Sequence, residues 1–246
     1  MSEFSEHPQI AELLEALEAN DMHKEKAEVQ SLVDYIGEME TTLSGMLEEM
    51  KGMKEEIGKI HDGTLRAKCM TLVQKTEGLI KKCIEVLKKA KDNLVQAATK
   101  AIKTFKEKGK EAFQKAVHAM KILETLDKLA GMFGNAAKEA KDNSAQLKAL
   151  QAELNVGKAH IRNVGRLLTG KLMKGPESVK TDRGILAGLG KLHDKIAKGF
   201  EGLAQKAMDR ADKLRADHVK ESVKAELAKL KGIAGERATK EPDIAR

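Results

Sequence analysis

The stretch Val29-Gln-Ser-Leu32-Val-Asp-Tyr-Ile36-Gly-Glu-Met39-Glu-Thr-Thr-Leu43-Ser-Gly-Met46-Leu-Glu-Glu-Met50-Lys-Gly-Met53-Lys-Glu-Glu-Ile57-Gly-Lys-Ile60 alternates steps of three and four between apolar side chains for more than four heptads. That period predicts a long helix whose apolar seam packs on another helix. Val29, Ile36, Leu43, Met50 and Ile57 take the a positions. Leu32, Met39, Met46, Met53 and Ile60 take the d positions. Val33 and Leu47 at e positions widen the seam, so more than one partner helix fits against it. Gly37, Gly45, Gly52 and Gly58 sit on the outer b and c positions, where they lower helix propensity or let another backbone come close. The methionines suit a core, and a Met-rich seam also adapts to several partners.

The rest of the chain agrees with this stretch. Of 246 residues, 34% are charged and 41% apolar, and only Pro8, Pro176 and Pro242 interrupt the chain as prolines. The fold class predicted is all-α, an elongated bundle of long amphipathic helices with coiled-coil hairpins. With no Trp, one Tyr and five Phe, a core anchored by large rings is not expected.

Outward from the seam, a first helix starts near Pro8 with Ser5 or nearby polar groups as candidate caps and the stripe Ile10, Leu13, Leu14, Leu17. Asn20 and Asp21 end it. His61-Asp62-Gly63 interrupts the long seam, and Thr64 is the candidate cap of the next helix. Its stripe, Leu65, Cys69, Leu72, Thr76, Leu79, Cys83, Val86 and Ala90, is out of phase with the first, which favours an antiparallel hairpin over a continuous helix. From Leu94 to Leu154 the stripe is Ala-rich and wanders, with Gly109, Gly131 and Gly134 as candidate bends. A third seam runs Leu147, Leu150, Leu154, Gly157, Ile161, Val164, Leu168. The domain reading is a long-helix coiled-coil bundle over 1–168, a loop or linker over 169–184, a C-terminal helical segment over 185–231 and a frayed tail over 232–246.

Charge is polarised along the chain. Residues 1–60 hold 15 acids and 5 lysines, a net of −10, so the remainder carries +17 to reach +7 overall. Residues 78–121 hold 12 lysines against four acids. An acidic helix lying beside a basic one explains the asymmetry. The other readings are a phosphate-backbone or lipid surface using Lys81, Lys82, Lys88, Lys89, Lys100 and Lys103. Lysine predominates over arginine and stacking aromatics are lacking, which disfavours base reading and single-strand binding.

Groups arranged for catalysis are not found. Gly165-Arg-Leu-Leu-Thr-Gly170-Lys171 has the spacing of a phosphate loop, but Leu172 stands where a hydroxyl should hold magnesium, and a helix precedes it instead of a strand. The seven histidines are scattered, with no His-x-x-x-His or Cys-x-x-Cys spacing. Cys69 and Cys83 lie on an apolar seam and read as small buried hydrophobes. Catalytic, cofactor-binding and metal-binding residues are therefore all expected to be none, and an enzyme is not expected.

Ser31-Leu-Val-Asp-Tyr-Ile-Gly-Glu-Met-Glu40, Gly165 to Lys171 and Asp182-Arg-Gly-Ile-Leu186 resemble uncharacterised helical proteins encoded on conjugative mobile elements of gut Firmicutes. The resemblance spans most of residues 1–200. It implies a bacterial accessory protein of transfer, maintenance or host interaction and assigns no catalytic residue. The expected function is a non-enzymatic coiled-coil scaffold or adaptor. Its alternative is sequence-independent DNA binding through 78–121, and membrane-surface binding comes third. The partner helix belongs to the same chain or to a homo-oligomer, with an unidentified protein as a further partner. The acidic start, Met1 to Glu6, is unlike a secretory leader, and no run approaches the ~20 apolar residues of a membrane span, so the expected location is cytoplasmic.

Overall fold

A computed structural model describes residues 3–175 and 184–238, and every regular element among them is helical. After a 3-10 turn at Glu3–Glu6 come α1 (Pro8–Ala19), α2 (His23–Gly58), α3 (Gly63–His118), α4 (Ile122–Leu168) and α5 (Ile185–Ala238). Pro8 opens α1 in its first turn, but His7 precedes it without a side-chain cap, so Ser5 does not take that role. The helix ends in a Schellman arrangement: Asp21 adopts φ 58°, its N–H reaches Glu18 O, and the Met22 N–H reaches Leu17 O. Leu17 and Met22, the apolar pair that accompanies this motif, are both buried.

The break at 61–63 is a hairpin. Asp62 rather than Thr64 caps α3, its carboxylate accepting the Leu65 N–H at 2.9 Å, because the aspartate occupies the extended residue just before the first helical one. Lys54 pairs with Glu77, and Lys91 with Glu40. Moving forward in α2 thus means moving backward in α3, as antiparallel packing requires.

Four long helices make the bundle. α2 lies between α3 and α5, and α4 closes the ring between the same two. Glu38 of α2 meets Lys206 and Arg210, while Glu49 meets Lys195, so α5 runs antiparallel to α2. α1 packs across α2 and α3 at one end. The seam over 29–60 is spent within this chain. Val29, Leu32, Ile36, Met39, Leu43, Met46, Met50 and Ile57 are buried, with Met53 and Ile60 half-buried at its margin. Val33 is buried as well, consistent with a seam wide enough for two long neighbours.

Several local expectations are corrected. Tyr35, Phe113, Phe133 and Phe200 are fully buried, so the few rings do anchor the core; the Phe133 and Phe200 rings stack at 6.2 Å across α4 and α5. Val86 is 41% exposed, because the buried face of α3 runs through Val73, Ile80 and Leu87 instead. Gly131 and Gly134 lie inside α4 and mark no bend. Gly109 does mark one, at φ 77° and ψ −170°, a conformation that only glycine adopts without strain. There the chain doubles back. Phe105 and Phe113 come within 5.0 Å of each other, and Met120 returns to line a cleft with Asn93 and Leu94.

At Gly45, Gly52 and Gly58 of α2, a methyl group in place of the α-hydrogen would meet nothing within 4 Å, so no other backbone comes close there. Gly199 of α5 is different: a Cβ there would collide with Met46 Cε. α5 continues as helix to Ala238, past the tail predicted from residue 232; residues 239–246 lie outside the described residues, as do 176–183 of the predicted linker.

Two substitutions separate the spent seam from the free one. Leu43→Ala should lower the unfolding free energy by about 3 kcal/mol through lost burial and the cavity left behind. Leu168→Ala, on a residue 83% exposed, should change it by less than about 0.5 kcal/mol. Denaturant titration followed by circular dichroism measures both.

Candidate functional site

Polar side chains set the register of the bundle. Asn143 Nδ2 of α4 donates to Thr76 Oγ1 of α3 at 2.9 Å, deep in the core. Ser144 donates to Asp194 of α5, and Lys148 Nζ donates to the other oxygen of Asp194 at 2.7 Å. Burial pushes the Asp194 carboxyl up, but the hydrogen bonds from Lys148 and Ser144 outweigh it and hold the group below the usual carboxylate range. His193 beside it is fully buried, with Nδ1 2.9 Å from Leu189 O. Burial drives its pKa down, so the ring is neutral. Thr76, Asn143, Ser144 and His193 are polar residues at core positions. Of these only Thr76 stands in a stripe predicted from the sequence, so the layer was missed there; its signal is a polar side chain at a position the apolar period assigns to the core.

The register fixed by this layer leaves the C-terminal end of α4 projecting past the ends of its neighbours. Lys141 pairs with Glu201 and Asp127 with Arg215, so the start of α5 at Ile185 lies level with about residue 157 of α4. Gln151 is the last buried residue of α4. From there to Leu168 the helix runs for about 25 Å at the standard rise. The second half of the third seam falls on this projection. Ile161 is 74% exposed and Leu168 83%, while Val156, Val164 and Leu167 are about half-exposed. Leu172 and Met173 extend the patch. They are held there because Arg166 Nε donates to Leu172 O at 2.7 Å, while Asn163 exchanges hydrogen bonds with both backbone groups of Lys174.

The residues that imitate a phosphate loop are the C-cap of this helix. Gly170 adopts φ 70°, its N–H reaches Leu167 O, and the Lys171 N–H reaches Arg166 O, so the backbone donors are consumed in a Schellman motif.

The lysine segment is placed less simply than its composition suggested. Lys81 is paired with Glu77 and Lys103 lies 3.8 Å from Glu107. Lys82, Lys88, Lys89 and Lys100 are exposed and have no carboxylate within salt-bridge distance among the described residues. The acidic α2 meets this segment through Glu40 to Lys91 and Glu25 to His118, while Glu38 and Glu49 turn to α5. Internal neutralisation is therefore shared between two helices.

A cleft of about 500 Å³ opens between α2, the end of α3 and α5. His218 Nε2 lies 3.2 Å from Glu28 there, and burial raises the Glu28 pKa against the pull of His218. Among the described residues no three His, Cys, Asp or Glu side chains are placed to hold a metal ion. Cys69 and Cys83 are buried free thiols; burial pushes both up, Cys83 to about 12.

A family model described as a family of unknown function, DUF6674, matches residues 6–246. The chain belongs to DUF6674. No curated protein and no solved structure matches it. In this DUF6674 chain no described helix is long and apolar enough to cross a membrane.

The buried histidine gives a pH signature. Unfolded His193 takes up a proton below about pH 6.5, whereas the folded group resists it until lower pH. Stability should therefore fall as the pH drops below about 6.5, by up to about 1.4 kcal/mol per pH unit from this group. His193→Leu should flatten that part of the profile in denaturant titrations at stepped pH.

Proposed function

We propose that this DUF6674 protein is a non-enzymatic helical scaffold or adaptor whose contact element is the projecting end of α4. The observation that carries the reading is the cluster of large apolar side chains exposed over residues 156–173, on a helix whose inner part is fully spent in the bundle. A folded chain rarely leaves so much contiguous apolar surface to water unless something covers it. The internal seams are closed by the chain's own helices, so the bundle acts as a rigid mount. The mobile-element resemblance suggests an accessory protein working in the bacterial cytoplasm. Photo-crosslinking in cells tests the reading. A benzoyl-phenylalanine at Ile161 or Leu168 should form adducts, to protein or to lipid, that the same group at Lys213 does not; a lack of both kinds of adduct at the α4 end would refute it.

Sequence-independent DNA binding is the second reading, favoured by the uncompensated Lys82, Lys88, Lys89 and Lys100 on α3. Changing these four to Gln should weaken duplex binding and reduce the slope of log affinity against log salt by about 0.9 per lost phosphate contact. An unchanged slope would remove these lysines from any DNA interface.

A further inference from the structure

We propose that the projecting end of α4 docks on an anionic lipid bilayer. The inference rests on the reading of that end as the contact surface and names what it contacts. At 3.6 residues per turn, Val156, Ile161, Val164, Leu167 and Leu168 fall within an arc of about 140° whose one polar member is His160. Lys158, Arg162 and Arg166 follow one another on the opposite side at steps of four. Lys171 and Lys174 add two more cations at the tip, and from Leu154 to Pro176 the sequence holds no Asp or Glu. An apolar arc backed by a row of cations, with no acid among them, is the pattern of a helix that lies in a lipid headgroup layer.

Shape and charge favour this occupant over others. The apolar side chains stand on a convex helix end and its folded-back strap, with Leu172 87% exposed at the extremity. A bilayer accepts a convex apolar tip without a matching groove. A second copy would bring five further Lys and Arg residues against these five with no acid to offset them, which opposes pairing of like ends. No Trp or Tyr stands in the patch to anchor it, so binding needs anionic headgroups and weakens with salt.

The basic segment 78–121 takes no part in this contact. Its exposed Lys82, Lys88 and Lys89 lie on α3 alongside the body of the bundle: Asn143, whose neighbourhood Lys82 shares, sits well before the projection begins.

Flotation of the full chain with vesicles tests the proposal. Binding should be slight to phosphatidylcholine alone, rise on adding phosphatidylglycerol, and fall at high salt. Combined Ile161→Glu, Leu168→Glu and Leu172→Glu changes should cut it by roughly tenfold or more, as lost apolar insertion requires. Lys158→Gln with Arg162→Gln should lower it too, whereas Lys82→Gln with Lys88→Gln should not. Since all these residues are exposed, circular dichroism should show each variant folded. Equal binding by the triple variant, or none to anionic vesicles, overturns the lipid proposal. In the second case, protein adducts at Ile161 in cells would leave the contact surface standing with an acidic protein as its partner, and missing adducts would remove both.

Discussion

The grip of Ser144 and Lys148 on Asp194 decides how far α4 slides along α5, and through that the shape of the molecule. Apolar faces alone specify register weakly, because a heptad repeat presents an apolar side chain again after each seven-residue slip. The buried Ser144 hydroxyl specifies it strongly, since losing its acceptor leaves a polar group unsatisfied in the core; the Lys148–Asp194 pair, on the exposed rim, adds only a modest preference for the same register. Asn143 on Thr76 applies the same constraint against α3. Together these bonds leave α4 with no long neighbour among the described residues beyond about residue 157.

The same period therefore has two fates on one helix. Leu147 is fully buried and Leu168 is 83% exposed, although both belong to the seam over 147–168. Periodicity tells which side chains share a face; it does not tell whether a partner helix reaches that far. This is why helix class, the long seam and the hairpin at 61–63 were legible in the sequence, while the exposed half of the third seam was not. The chain reversal at Gly109 was partly legible, since the glycine stood out, but so did Gly131 and Gly134, which sit inside α4. Only the φ of 77° separates the three. Low aromatic content misled in a related way: six rings are few, yet Tyr35, Phe113, Phe133 and Phe200 are all fully buried in the core. Tyr35 donates to Leu203 O across α2 and α5, and Arg210 lies 5.1 Å over its ring.

Charge is organised by the same bundle. α2 faces α5 with Glu38 and Glu49 against Lys206, Arg210 and Lys195, which selects α5 as a neighbour more than it adds stability, since exposed pairs contribute little individually. Among the cations that pairing leaves over are the row on α3 and those at the α4 end. The two surplus patches differ in kind. The α3 row is polar throughout, apart from the partly exposed Val86, whereas the α4 end joins its cations to apolar side chains. That combination is what distinguishes a surface for a phosphate backbone from one for a headgroup layer.

Native-state hydrogen exchange along α4 reads where tertiary cover ends. Amides from about Leu126 to Gln151, where the helix is enclosed, should be strongly protected, and protection should drop sharply from Lys158 to Leu168, where the backbone bonds face water without tertiary cover. Protection carried undiminished through Leu168 in the isolated protein would contradict this, because something in the chain itself would then be covering the end of the helix.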